Sequence, residues 1–372
     1  MSEYQYYEFQ AIDRPLTKKE QDEIRKLSSR VQLTPHQAIF LYNYGDFRGN
    51  PEKVLTQYFD MMFYIANWGT WQLIFRFPKA IVNPEWFQPY ELPDTITIST
   101  TPKYVILDIE INEEEGIRGW VEGEGWLPRL LPLRDELLHG DLRLLYLVWL
   151  RTAPYFVDDD LEDDPVEPPI PPNLDKLSDS LQAFVELVEL DPDLVAAAAQ
   201  ESDRQMPSSE PSLENWLEEL SADEKQKFLL KLVRREPHVD LLLINRLKEL
   251  AGATQSASRS KSGHRRFSEL QAIAETVQQK RHQREQNTAK KKRIKELEAL
   301  APKEAQTWER VVELIELKQA KPYDEATALL KDLRDLAVHQ GRLPEFIQRF
   351  EQLKLDYQNR PALITRFKTI KG

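Results

Sequence analysis

Twelve Lys and Arg side chains face three Glu across residues 259–295: Arg259, Lys261, Arg265, Arg266, Lys280, Arg281, Arg284, Lys290, Lys291, Lys292, Arg293 and Lys295. A local charge of +9, in a chain whose net charge is −12, suits phosphate neutralisation, each neutralised phosphate adding about one unit to the salt dependence of binding. These twelve are the candidate nucleic-acid-binding residues, and Phe267 is the aromatic among them that could stack on a base. The same run also fits a solvated helical connector or a basic coiled-coil face. A third use is intramolecular: the seven carboxylates in residues 158–167 could receive the stripe as a regulatory latch.

A second constellation is acidic. Asp108 and Glu110 sit two apart on a predicted strand, so their carboxylates share one face. Metal-dependent nucleases use such a pair, with Asp94 in the place of a third carboxylate. The position where those enzymes keep a lysine is Asn112 here, and a solvent-facing strand explains alternating acids equally well. A metal-dependent hydrolase or nuclease is therefore one functional class the chain could serve, but no catalytic residue, metal ligand or cofactor is assigned. His36, His139, His238, His264, His282 and His339 never occur at ligand spacing. No glycine-rich phosphate loop, dinucleotide fingerprint or Gly-x-Ser-x-Gly elbow occurs, and the chain holds only 12 glycines. The absence of cysteine excludes disulfides, thiolate nucleophiles, Cys-ligated zinc and iron–sulfur clusters. The cluster Asn67-Trp68-Gly69-Thr70-Trp71 is read as core packing around a glycine cap rather than as a ligand box.

The elements that must carry these residues fall into an α+β front half and an all-α back half. At 372 residues the chain is too long for one ordinary core. Residues 1–156 are rich in aromatics, Trp68, Trp71, Trp86, Trp126 and Trp149 among them, and are expected to form a mostly antiparallel sheet with helices, with a ferredoxin-like arrangement as the candidate topology. Strands are predicted over 4–12, 37–43, 71–77, 95–99 and 104–111. One helix opens at the Thr17/Glu20 capping box, and a second runs from Asn50-Pro51 to a stop at Asn67-Trp68-Gly69. Two further helices close the domain between 126 and 150.

Residues 157–173 form an acidic, Pro-rich hinge, with Pro165, Pro168, Pro169, Pro171 and Pro172 denying it helix hydrogen bonds. A small helical domain follows over 174–252, with a capping box at Ser221/Glu224, then a Ser-rich linker over 253–266. A long basic helix spans 267–300, and helix pairs fill 301–372. No apolar run approaches the ~20 residues that cross a bilayer, and residues 1–9 carry no basic region ahead of an apolar stretch. A cytoplasmic location without a membrane partner is expected.

Tyr6-Tyr7-Glu8-Phe9-Gln10-Ala11-Ile12-Asp13-Arg14-Pro15-Leu16, together with Asn67-Trp68-Gly69-Thr70, resembles an uncharacterised bacterial protein family over most of the length, which implies no activity. The last fifty residues resemble the TPR-like helical tails of bacterial SWIM-type zinc-finger proteins, through Tyr323, Ala326, Leu329-Leu330, Gly341-Arg342, Glu345-Phe346 and Arg360-Pro361-Ala362-Leu363. Without cysteine the zinc finger itself is missing, and what the resemblance implies is a helix-pair scaffold for protein contacts. The expected function is a non-enzymatic adaptor or scaffold that binds protein partners through the α+β domain and the C-terminal helices. The alternatives are a nucleic-acid-associated factor using residues 259–295 and the hydrolase or nuclease at Asp108 and Glu110.

Overall fold

A computed structural model describes residues 3–113, 122–157, 164–204, 213–250 and 260–370. The chain divides into two compact units, Met1–Val277 and Gln278–Gly372.

The first unit is built on a seven-stranded sheet. Its elements in chain order are β1 (Gln5–Gln10), α1 (Lys18–Arg25), β2 (Gln32–Leu33), β3 (Gln37–Tyr42), α2 (Pro51–Tyr58), β4 (Met61–Ala66), β5 (Thr70–Pro78), β6 (Ile96–Thr100) and β7 (Tyr104–Asn112). The strand order is β2-β3-β1-β4-β5-β7-β6, and every neighbouring pair is antiparallel. α1 joins β1 to β2 with β3 between them, and α2 joins β3 to β4 with β1 between them. These two interlocked split β-α-β units are the ferredoxin-like arrangement, and β5, β7 and β6 extend it beyond β4.

Both capping predictions in this region hold. Thr17 accepts from the Glu20 N–H while Glu20 reaches back to the cap, and Asn50 accepts from the Lys53 N–H with Pro51 at the first helical position. The second helix stops at Tyr58, however, and residues 61–66 are a strand rather than its continuation. All six of these residues are buried, because helices cover both faces of the sheet here. A strand buried on both sides has no polar alternation to betray it. Gly69, at φ 105°, is then the hairpin turn between β4 and β5 rather than a helix cap. Trp71 is core and Trp68 is half exposed.

One face of the sheet, with Phe9, Phe40, Met62 and Ile74, receives Ile24 of α1 and Val54 and Leu55 of α2. The other, with Phe63, Leu73, Phe75, Leu107 and Ile109, is covered by α3 (Trp126–Leu130), α4 (Pro132–Leu138), α5 (Arg143–Thr152), α6 (Asp179–Leu187) and α7 (Pro192–Ala198). The segment expected as an acidic, Pro-rich hinge contributes to this layer. Its residues 158–163 lie outside the described residues, but Glu167, Ile170 and Leu174 are buried. Antiparallel bridges Val166↔Arg266 and Ile170↔Lys261 tie the segment to the residues just before the long helix. The proline run remains extended, as its chemistry requires, and it is packed rather than free. Residues 260–266 of the expected Ser-rich linker are the other side of that pairing, and 251–259 lie outside the described residues.

α8 (Leu213–Glu219), α9 (Ala222–Val233) and α10 (Val239–Leu250) follow, with the Ser221/Glu224 capping box formed. They are tied to the sheet by His238 Nε2, 2.7 Å from Asp13 Oδ1, and by Asn245 Nδ2, which donates to Ile81 O at 3.1 Å. Asp13 is also paired with Arg134 at 2.9 Å. Burial opposes ionisation of Asp13, but the His238 hydrogen bond and the Arg134 charge outweigh it and hold the carboxyl at about 2.

α11 (Phe267–Leu300) is a 34-residue helix. In the second unit α12 (Glu304–Glu316), α13 (Ala320–His339), α14 (Leu343–Asp356) and α15 (Pro361–Phe367) share a core of Trp308, Val311, Ile315, Leu330, Phe346, Phe350, Leu363 and Phe367. Tyr323, Leu329, Leu330, Leu333 and Leu336 of α13 are followed one period later, about 34 residues, by Tyr357, Leu363, Ile364, Phe367 and Ile370.

Candidate functional site

The twelve cations do not form one surface. Arg259 lies outside the described residues. Arg265 is buried, its guanidinium gripping the Glu167 carboxylate through Nε at 2.9 Å and Nη2 at 2.5 Å while also donating to the carbonyls of Ala197 and Ala198. Tyr146 donates its hydroxyl to the same carboxylate. A cation enclosed this way cannot reach a phosphate. Phe267 is equally enclosed, set edge-on against Trp149, so it offers no face to a base. Lys261 Nζ is 3.4 Å from Glu201, and Arg266 is exposed. The basic segment thus does meet the acidic one, through Arg265 with Glu167 and through the Ser268 hydroxyl, which donates to Asp164 at 2.6 Å.

From Lys280 onward the helix presents its cations differently. Arg293 turns to α13, 2.7 Å from both Asp332 and Asp335, and Arg281 is 3.4 Å from Glu285. Lys280, Arg284, Lys290, Lys291, Lys292 and Lys295 are exposed. At about 100° per residue, Lys280, Arg284, Lys291 and Lys295 fall within an arc of roughly 60°, with Arg281 and Lys292 about 40–60° beyond it, over about 22 Å of helix. None of these four has a carboxylate within ion-pair distance among the described residues. The arrangement can hold a row of phosphates or another polyanion, without base stacking.

Asp108 and Glu110 do share a face of β7. Gln72 of β5 bridges them, its Nε2 donating to both Asp108 oxygens at 3.0 Å and to Glu110 Oε2 at 3.2 Å. Burial pushes the Asp108 carboxyl up to about 7, with the Glu110 and Glu52 charges adding to it and the Gln72 hydrogen bonds opposing it. A carboxyl poised there could exchange a proton near neutrality. Asp94 does not complete a metal site: among the described residues no group of three or more His, Asp or Glu could hold an ion. The histidines stay dispersed, His36 against the Ala11 carbonyl, His238 against Asp13 and His282 against Gln286.

A feature that sequence reading missed lies on α9. No residue of this helix is buried, and Leu229, Leu230, Leu232 and Val233 are 62%, 45%, 52% and 80% exposed. Leu229, Leu232 and Val233 stand at i, i+3 and i+4 and form one apolar face. Lys225 lies on the same side one turn earlier, whereas Lys227 and Arg234 lie on the opposite side; all three are exposed and without ion-pair partners among the described residues. The amphipathic period was visible in the residues, but it does not tell a core-facing stripe from a solvent-facing one.

No helix among the described residues is long and apolar enough to cross a membrane. No known protein family, curated protein or solved structure matches the chain.

Proposed function

We propose that this chain is a non-enzymatic cytoplasmic adaptor, holding protein partners through its α+β unit with the attached helices and through TPR-like C-terminal helices. The observation that carries the reading is the apolar face of α9. Four large aliphatic side chains grouped on one exposed helix are what partner-binding surfaces present, and Lys225, exposed at the N-terminal end of that face, suits an apolar groove with a carboxylate at one end. The recurrence of the α13 positions at the TPR period supports a helix-pair scaffold in the second unit.

The test is a pull-down from native lysate with the full chain and with Leu229→Glu/Val233→Glu. Each buried aliphatic side chain is worth about 1.5–3 kcal/mol, so partners retained by the wild type are expected to be lost on the order of a hundredfold or more, with the circular dichroism unchanged. Reproducible absence of any wild-type partner, or identical sets for both proteins, would sink the reading.

A nucleic-acid-associated role is the second reading, favoured by the unpaired arc of Lys280, Arg284, Lys291 and Lys295. Changing these four to Gln is expected to lower the salt slope of duplex DNA binding by about 3.6 and to weaken binding at every sequence alike. A wild-type chain that binds neither DNA nor RNA at ~50 mM salt, where electrostatic contacts are strongest, rejects it.

A further inference from the structure

β6 closes one edge of the sheet, and the bonds at its two ends set its hydrogen-bonding parity. Glu110 N donates to Thr95 O at 2.8 Å, and Thr101 N donates to Tyr104 O at 2.8 Å. The odd-numbered residues of this strand therefore bond to β7, and the even-numbered ones turn their N–H and C=O outward. Ile96 spends its outward pair on Leu92, at 3.0 and 3.1 Å. Ile98 and Thr100 have no outward partner among the described residues. Nor is the strand shielded: Thr97, Ser99 and Thr100 are exposed. Ile96–Thr100 holds no charge and no proline, the devices by which sheet edges ordinarily resist pairing.

We propose that this edge is an interface between two copies of the chain, with β6 pairing antiparallel to β6 of a second copy about a two-fold axis at Ser99. In that register Ile98 faces Thr100 of the other copy, twice over. Four hydrogen bonds then use every open donor and acceptor of both residues. The same axis sets Lys103, exposed at one end of the strand, beside the region of Asp94, exposed at the other. Neither has an ion-pair partner among the described residues. A strand whose ends differ in charge is self-complementary when antiparallel, which favours a second copy over an unrelated extended segment. An edge this short buries less than the ~1,200 Å² of standard interfaces, so dimerisation should depend on concentration.

The chain has no cysteine, so Ser99→Cys places a single thiol in the molecule. Across the axis Ser99 forms a non-hydrogen-bonded pair with its own copy, Cα atoms about 4.5 Å apart, within disulfide range. Under mild oxidation the full-length Ser99→Cys protein is expected to become a covalent dimer about tenfold faster or more than Thr97→Cys, whose two thiols lie out of register. In sedimentation the wild type is expected to dimerise with rising concentration. Ile98→Pro removes only an outward N–H, which an edge strand tolerates, and is expected to stay monomeric. A wild-type chain monomeric at all concentrations overturns the proposal, whether the edge is empty or accepts a strand of another protein. Equal cross-linking of the two cysteine variants, or a folded Ile98→Pro protein that dimerises like the wild type, overturns it as well. These outcomes leave the α9 reading untouched.

Discussion

Arg265→Ala is expected to destabilise the first unit by about 3–5 kcal/mol, measured as a lower midpoint in urea unfolding. The cost is not the loss of one ion pair. Glu167 is buried, and its carboxylate would keep only the Tyr146 hydroxyl, leaving a charge in the interior without compensation. The carbonyls of Ala197 and Ala198 would lose a donor at the same time. The disturbance should be local before it is global. The N–H groups of Glu167, Ile170, Lys261 and Phe267, which hold the proline segment to the start of α11, are expected to exchange hydrogen faster than those of the central strands. Replacing both partners, as Glu167→Leu/Arg265→Leu, should cost less than Arg265→Ala alone, because no charge is then stranded. An Arg265→Ala protein as stable as the wild type would mean that Glu167 finds another partner.

Asp108→Asn is expected to act in the opposite direction. The Asp108 carboxyl is pushed up to about 7 in the folded protein, against about 3.9 in an unfolded chain. Between those values the folded state binds more protons than the unfolded one, so the contribution of Asp108 to wild-type stability is fully present below about pH 4, declines to about pH 7 and is level above it. Asn keeps an acceptor for Gln72 and carries no charge. The variant should be more stable than the wild type by about 1–3 kcal/mol at pH 8, allowing for the partial exposure of the site, with the difference closing at pH 4. Urea unfolding at the two pH values checks this, and a difference independent of pH would show that Asp108 is not the titrating group. A catalytic use of the pair would instead demand the charge, so a stabilised and otherwise unimpaired variant also weighs against a hydrolase.

What the residues determined by themselves is what acts within one turn or one strand. Thr17 with Glu20, Ser221 with Glu224 and Asn50 with Pro51 start helices because each supplies acceptors to N–H groups a few residues away, whatever surrounds them. Asp108 and Glu110 share a face because a strand alternates, and the apolar period of residues 304–367 makes helices with one buried stripe. The two-halves architecture follows from such patterns.

Tertiary structure decided everything that depends on which neighbour arrives. Met61–Ala66 is a strand because layers close over both its faces, and a continuous apolar run alone does not distinguish that from a helix. Glu167, Ile170 and Leu174 are buried because the chain comes back across ninety-eight positions to set Arg265 against Glu167. That same return removes Arg265 from the basic surface and leaves Lys280, Arg284, Lys291 and Lys295 to form one. The stripe on α9 is exposed, and β6 lies at an edge rather than at the centre, for the same reason. Periodicity specifies a face, whereas burial of that face is a property of the packed chain.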